Sequence, residues 1–197
     1  MSRAFLVVCF VAVGSAFAGE IREFDLTTIE RLGNELARVS QQSERGATTP
    51  ERKHARQTAI AALKGKLFDI HYDYVVLDDP DGSGFLVYAL GTTKKPGETV
   101  LAGHFRVTVS GDGEKAERVD ALSRSLAINR AGEDLPVGSH QVGMYLVQIV
   151  SSKPVETLVY TNRITNLLIV VATLPYGRIF EIENGRIKDT GKTAGKK

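Results

Sequence analysis

The sequence predicts an α+β fold, with an N-terminal helical hairpin packed on a mainly antiparallel β-sheet of about six to seven strands. Three observations carry this reading. Apolar residues recur at spacings of three and four as far as residue 67; the period changes to two from Phe68; and the later strand-like segments are joined mainly by polar turns.

The first helix begins after Asp25, a residue type that caps helix N-termini, and carries one apolar stripe of Ile29, Leu32, Leu36 and Val39, up to about Ser43. A second starts at Thr49 with Pro50 in the first helical position. Its narrow face is Ala55, Ala59, Ala62, Leu63 and Leu67. From Phe68 to Val76 alternation sets Phe68, Ile70, Tyr72, Tyr74 and Val76 against Asp69, His71 and Asp73, the pattern of a half-buried strand. DDPDGSG turns the chain into FLVYALGT, and KKPGE leads to a third strand, ETVLAGHFRVTVS. Gly111-Asp112-Gly113 turns it into a fourth, EKAERVDALSRSL. NRAGEDLPVGS is the longest irregular stretch and precedes the strand QVGMYLVQIVS. Residues 156–164 are open between strand and helix, because β-branched side chains favour one and Pro154 with Glu156 the other. LLIVVAT reads as a buried strand, and RIFEIENGRIKDT as a hairpin with Asn184-Gly185 at its tip.

The N-terminus reads as an export signal: Arg3, an apolar run from Ala4 to Val13 too short to span a bilayer, and a small-x-small site at Ala16-Phe17-Ala18. This divides the chain into a signal peptide (1–18), a single α+β domain (19–188) and a basic tail (189–197) expected to be disordered. The one cysteine, Cys9, falls in the signal. The mature chain then has no thiol chemistry and no disulfide. The formal net charge of +2 becomes +1 once Arg3 is removed, so no global field favours nucleic acid or acidic lipid.

Candidate chemistry is sparse. Asp79, Asp81, Ser83 and Gly84 match the opening of an EF-hand loop, but its twelfth position is Leu90, inside a strand, so the stretch reads as a turn. Asp69, His71 and Asp73 share one strand face and form the metal candidate. Residues two apart on a strand lie about 6 to 7 Å apart, whereas ligands of one ion sit about 3 to 4 Å apart. A further ligand is therefore needed, with His104 the nearest. The cluster Asp120, Ser123 and Arg124 ends the fourth strand and, with His104 across a hairpin, forms a candidate ligand-binding group. No catalytic frame is present: Gly82-Ser83-Gly84 lacks the spacing of a nucleophile elbow.

The second half, from GHFRVTVSGDGEKAERVDALSRS through PVETLVYTNRITNLLIVVAT to GRIFEIENGRIK, resembles a group of exported hypothetical proteins from proteobacteria. The shared features are a strand ending V-x-A-L-S-x-S, a P-x-E-T segment, an apolar strand and a final G-x-hydrophobic hairpin. The resemblance implies a periplasmic location and transfers no catalytic residue.

These readings favour a periplasmic or secreted, non-enzymatic binding or accessory protein. Its expected partner is another periplasmic or envelope protein, with no nucleic acid, no cofactor and no stable membrane span after signal removal. Two other classes use the same residues. One is a divalent-metal-dependent hydrolase with Asp69, His71 and His104 near the ion. The other is an inhibitor of a secreted hydrolase that presents KKPGE or NRAGEDLPVGS.

Overall fold

The computed structural model describes residues 3–8, 21–130, 135, 136, 138–174 and 177–194. The proposed cleavage site after Ala18, Cys9, residues 131–134 of the long irregular stretch and the last three residues lie outside them. The elements run β1 (Arg3–Val8), α1 (Leu26–Val39), α2 (Pro50–Ala62), β2 (His71–Asp78), β3 (Phe85–Thr92), β4 (Glu98–Ala102), β5 (Phe105–Val109), β6 (Ala116–Ala121), β7 (Ala127–Arg130), β8 (Ser139–Gln148), α3 (Glu156–Thr165), β9 (Leu168–Thr173), β10 (Arg178–Glu183) and β11 (Arg186–Thr193). The α+β class is as the sequence predicts. A single sheet of six to seven strands is not formed. β2-β3-β5-β6 make one antiparallel sheet, β4-β7 a short ribbon, and β8-β9-β10-β11 a mixed sheet with β1 laid parallel along β8.

Both N-terminal helices start where their caps demand. Asp25 accepts a hydrogen bond from Thr28 N at 2.9 Å, and Thr49 accepts one from Arg52 N at 3.4 Å. They do not form a hairpin with each other. α1 packs on α3, while the alanine face of α2 (Ala55, Ala59) packs on the β2-β3-β5-β6 sheet. The reason lies in the two stripes. The broad stripe of Ile29, Leu32, Leu36 and Val39 belongs to the larger core, which also takes in α3 and one face of each large sheet. The alanine stripe lets α2 sit close against Val76, Val87 and Val107 on the opposite face of the first sheet. The layers are therefore α2, the β2-β3-β5-β6 sheet, α1 with α3, and the β8-β11 sheet.

That layering explains why β2 is not half-buried. Tyr72 and Val76 face α2, Val75 and Leu77 face the larger core, and β3 is buried along almost its whole length. The strand also starts at His71, with Phe68 to Ile70 in the connection before it.

Residues 156–164 belong to α3. β8 and β9 are parallel, and joining parallel neighbours takes a crossover, which the helix supplies. α3 lies between the sheets with Glu156 to Asn162 buried throughout. α1 reaches it because Gly33 has no side chain: a Cβ there would lie 2.4 Å from Val159 Cβ and 2.6 Å from Glu156 O. The third predicted strand is divided at Gly103, whose φ of +110° breaks the extended run; β4 leaves to pair with β7, and β5 stays in the sheet. The terminal hairpin forms at Asn184-Gly185, both at positive φ, as its turn type needs. β11 continues to Thr193, so residues 189–193 of the basic stretch are strand, held by Thr190 Oγ1 donating to Ile179 O at 2.8 Å.

Candidate functional site

Cross-strand register sets Tyr88, Arg106 and Asp120 in one row on β3, β5 and β6, with their side chains toward α3. Arg106 is fully buried, and a buried guanidinium needs partners on every side. It donates through Nη1 to Glu156 Oε1 at 2.5 Å and through Nη2 to Asp120 Oδ2 at 2.7 Å. It also donates to the Arg22 carbonyl and lies over the Phe24 ring, 4.8 Å from its centroid. Tyr88 Oη donates to the same Glu156 oxygen at 2.9 Å, and Arg118 Nε to Asp120 Oδ1 at 2.6 Å. Burial, followed by the Glu156 charge, pushes the Tyr88 phenol well above its ordinary value, so it remains a donor. This network fixes the first residue of α3 against the first sheet.

Two residues before Arg106, His104 faces the same interior and is 1% exposed. Its Nδ1 accepts a hydrogen bond from Gly91 N at 3.0 Å. The ring stands edge-on to Tyr160 with centroids 6.4 Å apart. Burial lowers its pKa from 6.5 to about 4, opposed in smaller part by the backbone of Val100. At neutral pH the imidazole is uncharged. With Nδ1 accepting, its proton sits on Nε2, which is closed off from solvent, and the Val100 backbone bonds the ring from within the protein.

His104 lines a pocket of about 50 Å³ at the start of α3. Leu101, Leu122, Leu146, Val155 and Leu158 form its apolar walls; Ser123, Arg124, Gln148 and Thr157 add polar groups. Ser123 Oγ accepts from Gly103 N at 2.6 Å and donates to Ser125 O at 3.0 Å, which ties the β6–β7 connection to the β4–β5 break. Gln148 Oε1 accepts from Val155 N at 3.2 Å and so closes the helix end. Arg124 is exposed.

Of the four predicted ligand-binding residues, His104, Ser123 and Arg124 meet at this pocket, whereas Asp120 is turned into the Arg106 network. The metal candidates are placed differently. Asp69 is exposed before β2; His71 Nε2 lies 3.6 Å from Asp73 Oδ1, and Asp73 is paired with Arg45 at 3.1 Å. His104 is buried and bonded to Gly91 instead of joining them, and no group of three or more His, Cys, Asp or Glu side chains converges among the described residues. The Asp79 stretch is a turn: Asp79 N donates to Gly84 O at 3.0 Å, and Arg22 holds Asp79 through bonds of 2.6 and 2.7 Å and Asp81 at 2.9 Å. Burial, the largest single influence, works against the Asp79 charge, but the Arg22 bonds, the Asp81 backbone N–H and the Arg22 and Arg106 charges together hold the carboxyl below its ordinary value.

Sequence reasoning missed Gly91, the α3 walls and the Arg106–Glu156 pair. The last had a signal: an arginine in the middle of FRVTV needs a buried partner. No helix among the described residues is long and apolar enough to cross a membrane. No protein-family model matches the chain, and neither does any curated protein or solved structure.

Proposed function

We propose that this is an exported, non-enzymatic binding protein of the cell envelope, and that the His104 pocket takes the apolar end of its ligand. The observation that carries the reading is the pocket itself, at the start of α3, with walls of Leu101, Leu122, Leu146, Val155 and Leu158 beside Ser123, Arg124 and Thr157. The absence of a catalytic frame in the sequence supports binding over turnover, and the N-terminal run supports export. With residues 1–18 removed, β8 becomes an edge strand of its sheet.

The two parts are tested separately. N-terminal sequencing of the protein from a periplasmic fraction is expected to begin at Gly19; an intact Met1 contradicts export by cleavage. Methyl NMR of the purified protein with small apolar alcohols and ketones is expected to move Leu122, Val155 and Leu158 together. Unmoved pocket methyls across the series contradict the binding reading.

A further inference from the structure

The two edges of the β8–β11 sheet are closed in different ways. In the order β1-β8-β9-β10-β11 the outer strands are β1 and β11. β11, RIKDTGKT, carries Arg186, Lys188, Asp189 and Lys192, and Gly191 has a φ of +67°. Charge and local irregularity are what keep another strand from adding to an edge. β8, SHQVGMYLVQ, has no acidic residue, lysine, arginine or proline over its 10 residues. What covers it is the chain's own N-terminal segment: Arg3–Val8 pairs parallel with it from Ser139 to Tyr145. A one-residue shift at Val142 does not close the edge, since pairing resumes at Gly143.

On the export reading, on which this inference rests, residues 1–18 are cut away and the backbone groups that β8 turns to β1 lose their partners. The row Met144, Ile169 and Ile182 is fully buried across β8, β9 and β10, and Val7 is the next register position, opposite Met144. A parallel strand in this register brings its residue two further on opposite Leu146, which heads the row Leu146, Val171 and Phe180. The edge therefore suits a strand with apolar residues two apart and an uncharged middle.

We infer that the exported chain uses the β8 edge as an acceptor for an extended, apolar segment of another polypeptide, which adds as a parallel strand in the place of β1. Main-chain hydrogen bonds supply the affinity, and the positions opposite Met144 and Leu146 the selectivity. A second copy fits less well. β8 meeting β8 across a two-fold perpendicular to the sheet runs antiparallel, whereas the strand seated here is parallel.

The test takes the protein from a periplasmic fraction, establishes its first residue, and adds the synthetic peptide RAFLVV, a copy of Arg3–Val8, or its Leu6→Pro variant, which lacks one main-chain donor. Amide hydrogen exchange and sedimentation are the readouts. For protein beginning at Gly19, saturating RAFLVV is expected to slow exchange within residues 139–145 about tenfold. The Leu6→Pro peptide is expected to bind about tenfold more weakly. Equal binding of the two peptides overturns strand addition. Unslowed amides in protein that begins at Gly19 overturn the acceptor edge and leave the export reading standing. A dimer whose 139–145 amides are slow without peptide replaces the partner strand by a second copy. Protein that retains Met1 overturns both readings, since its own strand then holds the edge.

Discussion

Gly91 N donates to His104 Nδ1 at 3.0 Å, and this one bond fixes the tautomer of a buried imidazole. It uses the ring's acceptor and leaves the proton on Nε2. The bond is available because Gly103 ends β4 and lets His104 re-enter the sheet ahead of β5. A backbone break thereby sets the tautomer of a buried side chain.

The first prediction concerns acid. The unfolded chain protonates His104 near 6.5, while in the folded protein it stays neutral down to about 4. Between those values the unfolded state binds more protons, so stability falls as pH falls. The loss from this group is ~3 kcal/mol across that window. Asp79 and Glu23, both held below their ordinary 3.8 and 4.5, lose their contribution only at lower pH, so the two effects separate. Urea unfolding at pH 7.5, 6 and 4.5 is expected to show the decline, and His104→Asn to flatten it.

Arg106 is predicted to be the most sensitive buried charge. Arg106→Leu leaves Asp120 and Glu156 facing each other across apolar surroundings, at a cost of about 3–5 kcal/mol. Tyr88→Phe removes one hydrogen bond to Glu156 and costs about 1 kcal/mol. Denaturant titration of both variants checks the ranking; a larger loss for Tyr88→Phe contradicts it.

Gly33→Ala opposes two effects of different size. In a solvated helix the change is worth about 1 kcal/mol in favour of alanine. Here the added Cβ meets Val159 Cβ at 2.4 Å and the Glu156 carbonyl at 2.6 Å. Separating α1 from α3 costs about 1–3 kcal/mol, more than the propensity returns. The variant is expected to have a lower Tm than wild type; a rise shows that the helices tolerate separation.

The Asp79 turn yields a prediction about calcium. Arg22 already occupies the carboxylates of Asp79 and Asp81, so millimolar calcium is expected to leave the Tm unchanged. Arg22→Ala is expected to destabilise by about 1–2 kcal/mol, since Asp79 is then buried without its cation. A calcium-dependent rise in wild-type Tm contradicts the turn assignment.

Local chemistry was legible in the sequence wherever a short-range rule decides the structure. Asp25, Thr49-Pro50 and Asn184-Gly185 fall where capping and turn rules place them, and the β3 segment Phe85–Thr92 follows the DDPDGSG turn as expected. The stripe on α1 was read correctly, but not the surface it covers, because apolar periodicity names a buried face and not its partner. Alternation misread β2 because a sheet covered on both sides buries Val75 and Tyr72 alike. α3 was left open between helix and strand for a related reason: its surroundings are buried all round, so no stripe appears. At the site, His104, Ser123 and Arg124 were legible as polar residues near strand ends. Gly91 and the walls from α3 were not, because they arrive through tertiary contacts far apart in the chain.

The most direct measurement of the central claim is histidine-selective nitrogen NMR of the unliganded protein from pH 8 to 4.5. The account predicts that His104 stays neutral through this range, with its proton on Nε2 and Nδ1 bare. A His104 that titrates near 6.5, or that carries its proton on Nδ1, contradicts the account, since burial and the Gly91 bond then do not hold the ring as described.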